Sequence, residues 1–210
     1  MVYALIAVNV AIYALTAAQA GGADVASAPL FQAWSLYPPA IAAGQWWRLI
    51  TAGFLHFGPV HIGFNMLALW VVGKDFERVV GRGRFLAVYL VGLLGGSASA
   101  FVFGVPRAEV AGASGAVFGL MGGLAVLLRR LNLPPGPAVS MIVINLVISF
   151  VVPGISVLGH LGGLVVGAVA TAAMVYAPAR RRVTWQSATI AMLVVLLVLV
   201  MAARAVTFVV

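Results

Sequence analysis

Residues 112–130 read Gly112-Ala113-Ser114-Gly115-Ala116-Val117-Phe118-Gly119-Leu120-Met121-Gly122-Gly123-Leu124-Ala125-Val126-Leu127-Leu128-Arg129-Arg130. A single serine opens the run, no ionisable residue interrupts it, and two arginines close it. As a helix rising 1.5 Å per residue, about 18–20 such residues cross a hydrocarbon core of roughly 30 Å. Gly115, Gly119 and Gly123 recur every four residues along one side. Small residues at that spacing let two helix backbones approach closely. The stretch therefore predicts a membrane span with one face made for another helix.

The rest of the chain agrees. Of its 210 residues, 64% are hydrophobic and only 8% are charged. A soluble domain of this size carries about 25% charged residues on average, so a soluble fold is excluded. Six more apolar segments lie at roughly 2–20, 59–76, 84–104, 138–152, 158–177 and 188–208, beside the fourth at 114–131. The predicted fold class is an all-α polytopic membrane protein. The fifth segment is short, which predicts a tilted, incomplete or loosely held element. The first ends Ala18-Gln19-Ala20, in the small-x-small form of a signal-peptide cleavage site. It has no basic n-region and its apolar run is long, so it reads as a span. The chain has no cysteine, which removes disulfides, thiolate metal sites and a cysteine nucleophile.

Twelve basic and four acidic residues give a net charge of +8. In a soluble protein this would suggest nucleic acid. Here position explains it. Lys74, Arg78, Arg82, Arg84, Arg129, Arg130, Arg180, Arg181 and Arg182 fall in alternate loops, while Arg48, Arg107 and Arg204 fall on the other side. The positive-inside rule puts the first group in the cytoplasm. The N-terminus is then cytoplasmic and the long aromatic-rich loop 21–58 extracytoplasmic, lying in the interface.

Polar side chains inside a bilayer are costly. His61 and Asn65, four residues apart, share one face of the second segment. Ser114 starts the fourth, and His160 sits in the first turn of the sixth. With that topology, Ser114, His160 and His61 lie at one depth near the outer boundary. Each also has an ordinary structural explanation: a helix N-cap, a packed histidine, an interhelical hydrogen bond. His160, Gly163 and Gly167 follow i, i+3, i+7 on the sixth segment. If that face meets the Gly115–Gly119–Gly123 face, Ser114 and His160 become neighbours, as a nucleophile and its base. Four acidic residues exist, Asp24, Asp75, Glu77 and Glu109, none near the expected place of His160. A dyad is therefore expected, with the imidazole oriented by packing, Phe118 being the candidate. The Ser114 backbone N–H, His61 and Asn65 are candidate oxyanion donors. Metal binding by His56, His61 and His160 competes poorly, since no carboxylate or thiolate accompanies them and Ser114 goes unexplained.

At these residues the chain resembles the rhomboid intramembrane serine proteases. Gly112-Ala113-Ser114-Gly115 matches the family's GxSG. His160-Leu161-Gly162-Gly163 with Gly167 matches HxxGxxxG, His61 to Asn65 matches HxxxN, and Trp47-Arg48 matches the WR pair of the first loop. Gly73, Glu77 and Gly81 look like the pattern at the far end of the second helix. The resemblance covers about residues 1–177. It implies a six-helix rhomboid-like catalytic membrane domain over 1–177, followed by a basic loop and a seventh transmembrane helix over 178–210. It implies Ser114 as nucleophile, His160 as general base, and His61, Asn65 and the Ser114 amide as oxyanion donors. His56 has a supporting role, Trp47-Arg48 anchor the membrane-lying loop, and the fifth helix with loop 153–157 acts as a substrate gate. Gly159 stands where many relatives have Ala, and Phe118 where some have Tyr.

The function expected is cleavage of transmembrane segments of other membrane proteins near the extracytoplasmic face of what is expected to be a bacterial plasma membrane. The partners are transmembrane protein substrates and the lipid bilayer, with no nucleic acid, nucleotide, metal or other cofactor. The alternative is a non-catalytic rhomboid-fold protein that binds or chaperones membrane proteins. Such proteins usually lack Ser or His of the dyad. A transporter is a third reading, but no repeat and no midplane carboxylate supports it.

Overall fold

The computed structural model describes residues 1–208. Its seven long helices occupy the seven apolar segments: α1 (Val2–Ala20), α5 (Pro59–Val80), α6 (Arg82–Phe103), α7 (Ser114–Arg130), α8 (Gly136–Val151), α9 (Val157–Val175) and α10 (Arg182–Val206). Three short helices, α2 (Pro29–Trp34), α3 (Pro38–Ala42) and α4 (Arg48–Thr51), fill the long first loop. Four helices, α1, α6, α9 and α10 (the last with the preceding turn), are long and apolar enough to cross a membrane unaided. Helix α5 joins them when taken with the sharply bent segment before it, at 93°. Helices α7 and α8 are shorter, at 17 and 16 residues.

The centre of the molecule is a glycine seam among α6, α7 and α9. A Cβ on Gly167 would overlap the backbone of Gly119, and one on Gly163 the backbone of Gly115. The predicted meeting of the α7 and α9 small-residue faces is therefore found. The seam also takes in α6, which sequence reading did not anticipate. A Cβ on Gly92 would lie 3.1 Å from the Cα of Gly119, and one on Gly96 2.8 Å from the carbonyl oxygen of Gly159. Backbones this close gain dispersion contacts along their length, which drive association where lipid is as apolar as leucine. Around the seam lie Leu69, Phe76, Phe85, Tyr89, Leu120 and Met121, all fully buried.

The short fifth helix is held lightly, as its length suggested. In α8 only Ala138 and Ser149 are buried, while Val143, Ile144, Val147, Phe150 and Val151 face outward. Helix α10 packs along α6 and α9 and buries little beyond Met201.

The first loop packs onto the long helices through two clusters, Leu36 and Ile41 against Phe101 and Met201, and Phe31 and Leu55 against α1 and Ala111. Phe31, Leu36, Ile41 and Leu55 are buried, while Trp46, Trp47, Ile50 and Phe57 form an exposed apolar rim. Arg48, 7% exposed, ties the loop together. Its guanidinium donates to Gln45 Oε1 at 2.7 Å, to the Gln32 carbonyl at 2.8 Å and to the Ser35 carbonyl at 2.7 Å. Trp47 donates through Nε1 to the Ala33 carbonyl at 3.1 Å. The loop in turn grips the strand of chain that precedes α7. Leu36 and Val110 exchange two backbone hydrogen bonds of 2.9 Å, and Gly112 N–H donates to the Ala52 carbonyl at 2.9 Å.

Candidate active site

Two helix starts bring the serine and the histidine together. Ser114 is the first residue of α7, and its amide, like the others of a first turn, has no partner within the helix. In α9, Ser156 is the N-cap and accepts from Gly159 N–H at 3.1 Å, which sets the first turn where His160 stands. The glycine seam then fixes the two helices against each other. Ser114 Oγ lies 2.7 Å from Nε2 of His160, within hydrogen-bond distance.

The imidazole is fixed by its surroundings. Phe118 stacks on it with ring centroids 4.2 Å apart and planes 16° apart, as expected one turn after Ser114. Packing is not the whole of its orientation, however. Ser149 Oγ of α8 sits 2.6 Å from Nδ1. The expectation of a ring held by packing alone is corrected: a hydroxyl from the fifth helix holds its far nitrogen. The signal in the sequence was the spacing of Asn145 and Ser149, two polar residues four apart in an apolar segment.

The second-helix residues face the same place. Phe57 N–H donates to His61 Nδ1 at 3.3 Å, so the neutral ring carries its proton on Nε2. That edge points at Gly112, where a Cβ would lie 3.0 Å from Nε2 and 3.6 Å from Ser114 Oγ. With φ at +137°, Gly112 also has a backbone conformation that side chains disfavour. Asn65, 7% exposed, donates one amide hydrogen to the His61 carbonyl at 3.0 Å and lines the same cavity as Ser114. His56 is fully buried, edge-on to His61 with ring centroids 5.2 Å apart. Burial pushes it down to about 3, His61 adds to the fall, and it is neutral at physiological pH.

Ser114, His61, Asn65, His160 and Ser149 all line one cavity of about 990 Å³. It runs between α5 and α8, past Phe64, Leu67 and Val71 on one side and Ile148 and Val152 on the other. Several of these side chains are exposed on the flank of the molecule, Phe64 at 70%. The cavity thus joins the polar end of the site to the apolar lateral surface. Among the described residues no three His, Asp or Glu side chains converge as metal ligands would.

A family model of the rhomboid domain matches residues 43–178, well over half of the chain. The chain belongs to the rhomboid family. Among similar proteins, rhomboid protease GluP of Bacillus subtilis is 46% identical over 139 residues, covering 64% of this chain and 27% of the relative. Rhomboid-type serine protease 2 of Emericella nidulans is 37% identical, covering 60% of this chain and 26% of the relative. Rhomboid protease AarA of Providencia stuartii is 28% identical, covering 67% of this chain and 60% of the relative. The chain thus spans only about a quarter of the length of the first two. In this rhomboid, the matched region starts in the first loop and ends just beyond α9, so α1 and α10 lie outside it.

Proposed function

We propose that this rhomboid is an intramembrane serine endopeptidase that cuts transmembrane segments of other membrane proteins. The observation that carries the reading is the 2.7 Å contact between Ser114 Oγ and His160 Nε2. It lies in a cavity reaching the lateral surface. A solvated serine binding site needs no imidazole at its hydroxyl; a nucleophile does.

The chemistry follows from the residues. Nε2 takes the Ser114 proton as Oγ attacks the scissile carbonyl carbon. The carbonyl π electrons move to oxygen, where the Ser114 amide, His61 Nε2–H and the free Asn65 hydrogen can donate. The imidazolium then gives its proton to the departing amine, leaving an acyl ester on Ser114. Water repeats the sequence: His160 takes its proton, the ester breaks, and Ser114 regains its hydrogen. Peptide and water yield acid and amine, so the balance needs no cofactor.

A substrate helix hides its peptide bonds in its own hydrogen bonds and must unwind to react. Segments weakened by glycine or β-branched residues are the favoured substrates. They enter between α5 and α8, with the lightly held α8 and residues 153–157 as the gate. Residues 1–177 are read as the catalytic unit and 178–210 as an appended segment with a loop and helix α10, residues 209–210 lying outside those described. The distribution of basic residues supports an N-terminus in the cytoplasm and a site on the extracytoplasmic side, and the membrane is read as a bacterial plasma membrane. Trp46, Trp47 and Phe57 then lie where aromatic residues favour the interface.

Labelling of the solubilised protein with a fluorescent fluorophosphonate tests this. Wild type should label, and Ser114→Ala and His160→Ala should not, although both remain folded. Labelling that survives in Ser114→Ala would overturn the mechanism. Folded wild type that fails to label in liposomes as well would favour a non-catalytic binding protein.

A further inference from the structure

We propose that Ser149 is a positioning residue of the site. Its oxygen accepts the Nδ1–H of His160 and so selects the tautomer whose Nε2 can accept the proton of Ser114. The proposal rests on the protease reading for its purpose, but not for its geometry.

Counting hydrogens gives the direction. Ser149 Oγ lies 2.6 Å from two atoms, the carbonyl oxygen of Asn145 one turn back and Nδ1 of His160. A carbonyl oxygen can only accept. The one hydroxyl hydrogen is therefore committed to Asn145, a back-bond that helical serines commonly make. What remains on Ser149 Oγ is a lone pair. It pairs with Nδ1 only if Nδ1 carries the ring proton. The neutral imidazole then has a bare Nε2, and Ser114 must be the donor in the 2.7 Å contact. Every hydrogen runs one way, from Ser114 to Nε2 and from Nδ1 through Ser149 to the Asn145 carbonyl. The opposite tautomer would place the proton on Nε2 and leave Ser114 without its base.

Burial makes this selection count. Ser149 is 3% and His160 7% exposed, so solvent does not readily replace a lost partner. Phe118 fixes the plane of the ring by stacking, but stacking is indifferent to which nitrogen bears the proton. The acidic side chains of the described chain make no hydrogen bond or ion pair with His160. A hydroxyl here does the orienting part of a carboxylate's task without bringing a second charge into an apolar site. When His160 becomes imidazolium, Nδ1–H keeps its acceptor and only Nε2–H has a proton to give.

The bond also links the site to α8. Ser149 stands in the last turn of that helix, whose other side chains, apart from Ala138, are not buried. Outward movement of α8 that takes Oγ beyond about 3.2 Å releases the ring.

The chain has three histidines, so uniformly [15N]histidine-labelled protein gives a readable spectrum, with His160→Ala assigning the signals. Wild type should show His160 protonated on Nδ1 and bare on Nε2. Ser149→Thr and Ser149→Val have nearly the same shape and differ in the hydroxyl. Thr should keep both the tautomer and the fluorophosphonate kinact. Val should shift the tautomer and lower kinact roughly 10- to 100-fold, with KI unchanged. Should neither branched residue fit, Ser149→Ala makes the same comparison with wild type. A wild-type proton on Nε2, or hydroxyl-free variants with wild-type tautomer and kinact, would overturn the proposal. Loss of Ser114-dependent labelling with the Nδ1–H tautomer intact would sink the protease reading and leave the hydrogen-bond direction standing.

Discussion

The carbonyl oxygen of Gly115 in α7 lies so close to Gly163 in α9 that a Cβ on Gly163 would overlap it. Gly115 follows Ser114, and Gly163 lies one turn beyond His160. The contact between two glycines therefore sets the separation of a hydroxyl and an imidazole one turn away. Backbone, unlike a flexible side chain, cannot swing aside.

This makes Gly163→Ala a sharp test. Within a helix, alanine gains about 1 kcal/mol over glycine. Overpacking costs about 1–3 kcal/mol, and more when backbone must move. The steric term should win: Gly163→Ala should melt at lower temperature in detergent and lose fluorophosphonate labelling. Gly163→Leu should do so more severely. Gly63 in α5, where a Cβ would meet nothing within 4 Å, is the control. Gly63→Ala should leave the melting temperature unchanged or raised.

Asn65→Ala should keep the fold and lose activity. It removes one bond to the preceding turn and, on the proposed mechanism, one oxyanion donor. Loss of one oxyanion donor costs roughly 10²–10³ in kcat. Wild-type turnover of a transmembrane peptide by this variant would remove Asn65 from the oxyanion hole.

Gly112→Ala combines a disfavoured backbone angle, φ +137°, with a Cβ 3.0 Å from the His61 ring. Labelling should fall by at least tenfold, since 1.4 kcal/mol of misplacement already gives that factor. Equal labelling rates for variant and wild type would show that the His61 edge is free to move.

Arg48→Lys should destabilise the protein almost as much as Arg48→Ala. The guanidinium forks to one side-chain oxygen and two main-chain carbonyls, which an ammonium on a single stem does not match. The readout is proteolysis of residues 21–58 in detergent. Protection of Arg48→Lys equal to wild type would mean that charge alone holds the loop.

Phe118→Tyr should retain labelling, and Phe118→Ala should lose most of it. The stack on His160 is worth about 0.5–1.5 kcal/mol beyond area burial, and its removal also opens a void beside the ring. A Phe118→Ala variant that labels at the wild-type rate would show that Ser149 suffices to hold the imidazole.

Much was readable from the chain alone, for physical reasons. A bilayer demands long apolar helices and penalises every polar exception. The seven segments, and Ser114, His160, His61 and Asn65 among them, therefore stood out against a uniform background. Glycine at every fourth residue named the α7 and α9 faces in the same way. Ser149 was passed over although it stands four residues after Asn145, because small polar residues that can bond back to their own helix read as tolerated polarity. Its meaning depends on which nitrogen lies 2.6 Å away, and that is a distance between two helices. Arg48 was legible as half of a Trp-Arg pair, but its three acceptors, two of them main-chain carbonyls, carry no side-chain signature. Local sequence thus determined which residues enter the membrane and which could react. Helix packing alone decided their separations, the third helix in the glycine seam and the direction of the hydrogen bonds, because those depend on atoms brought together from distant parts of the chain.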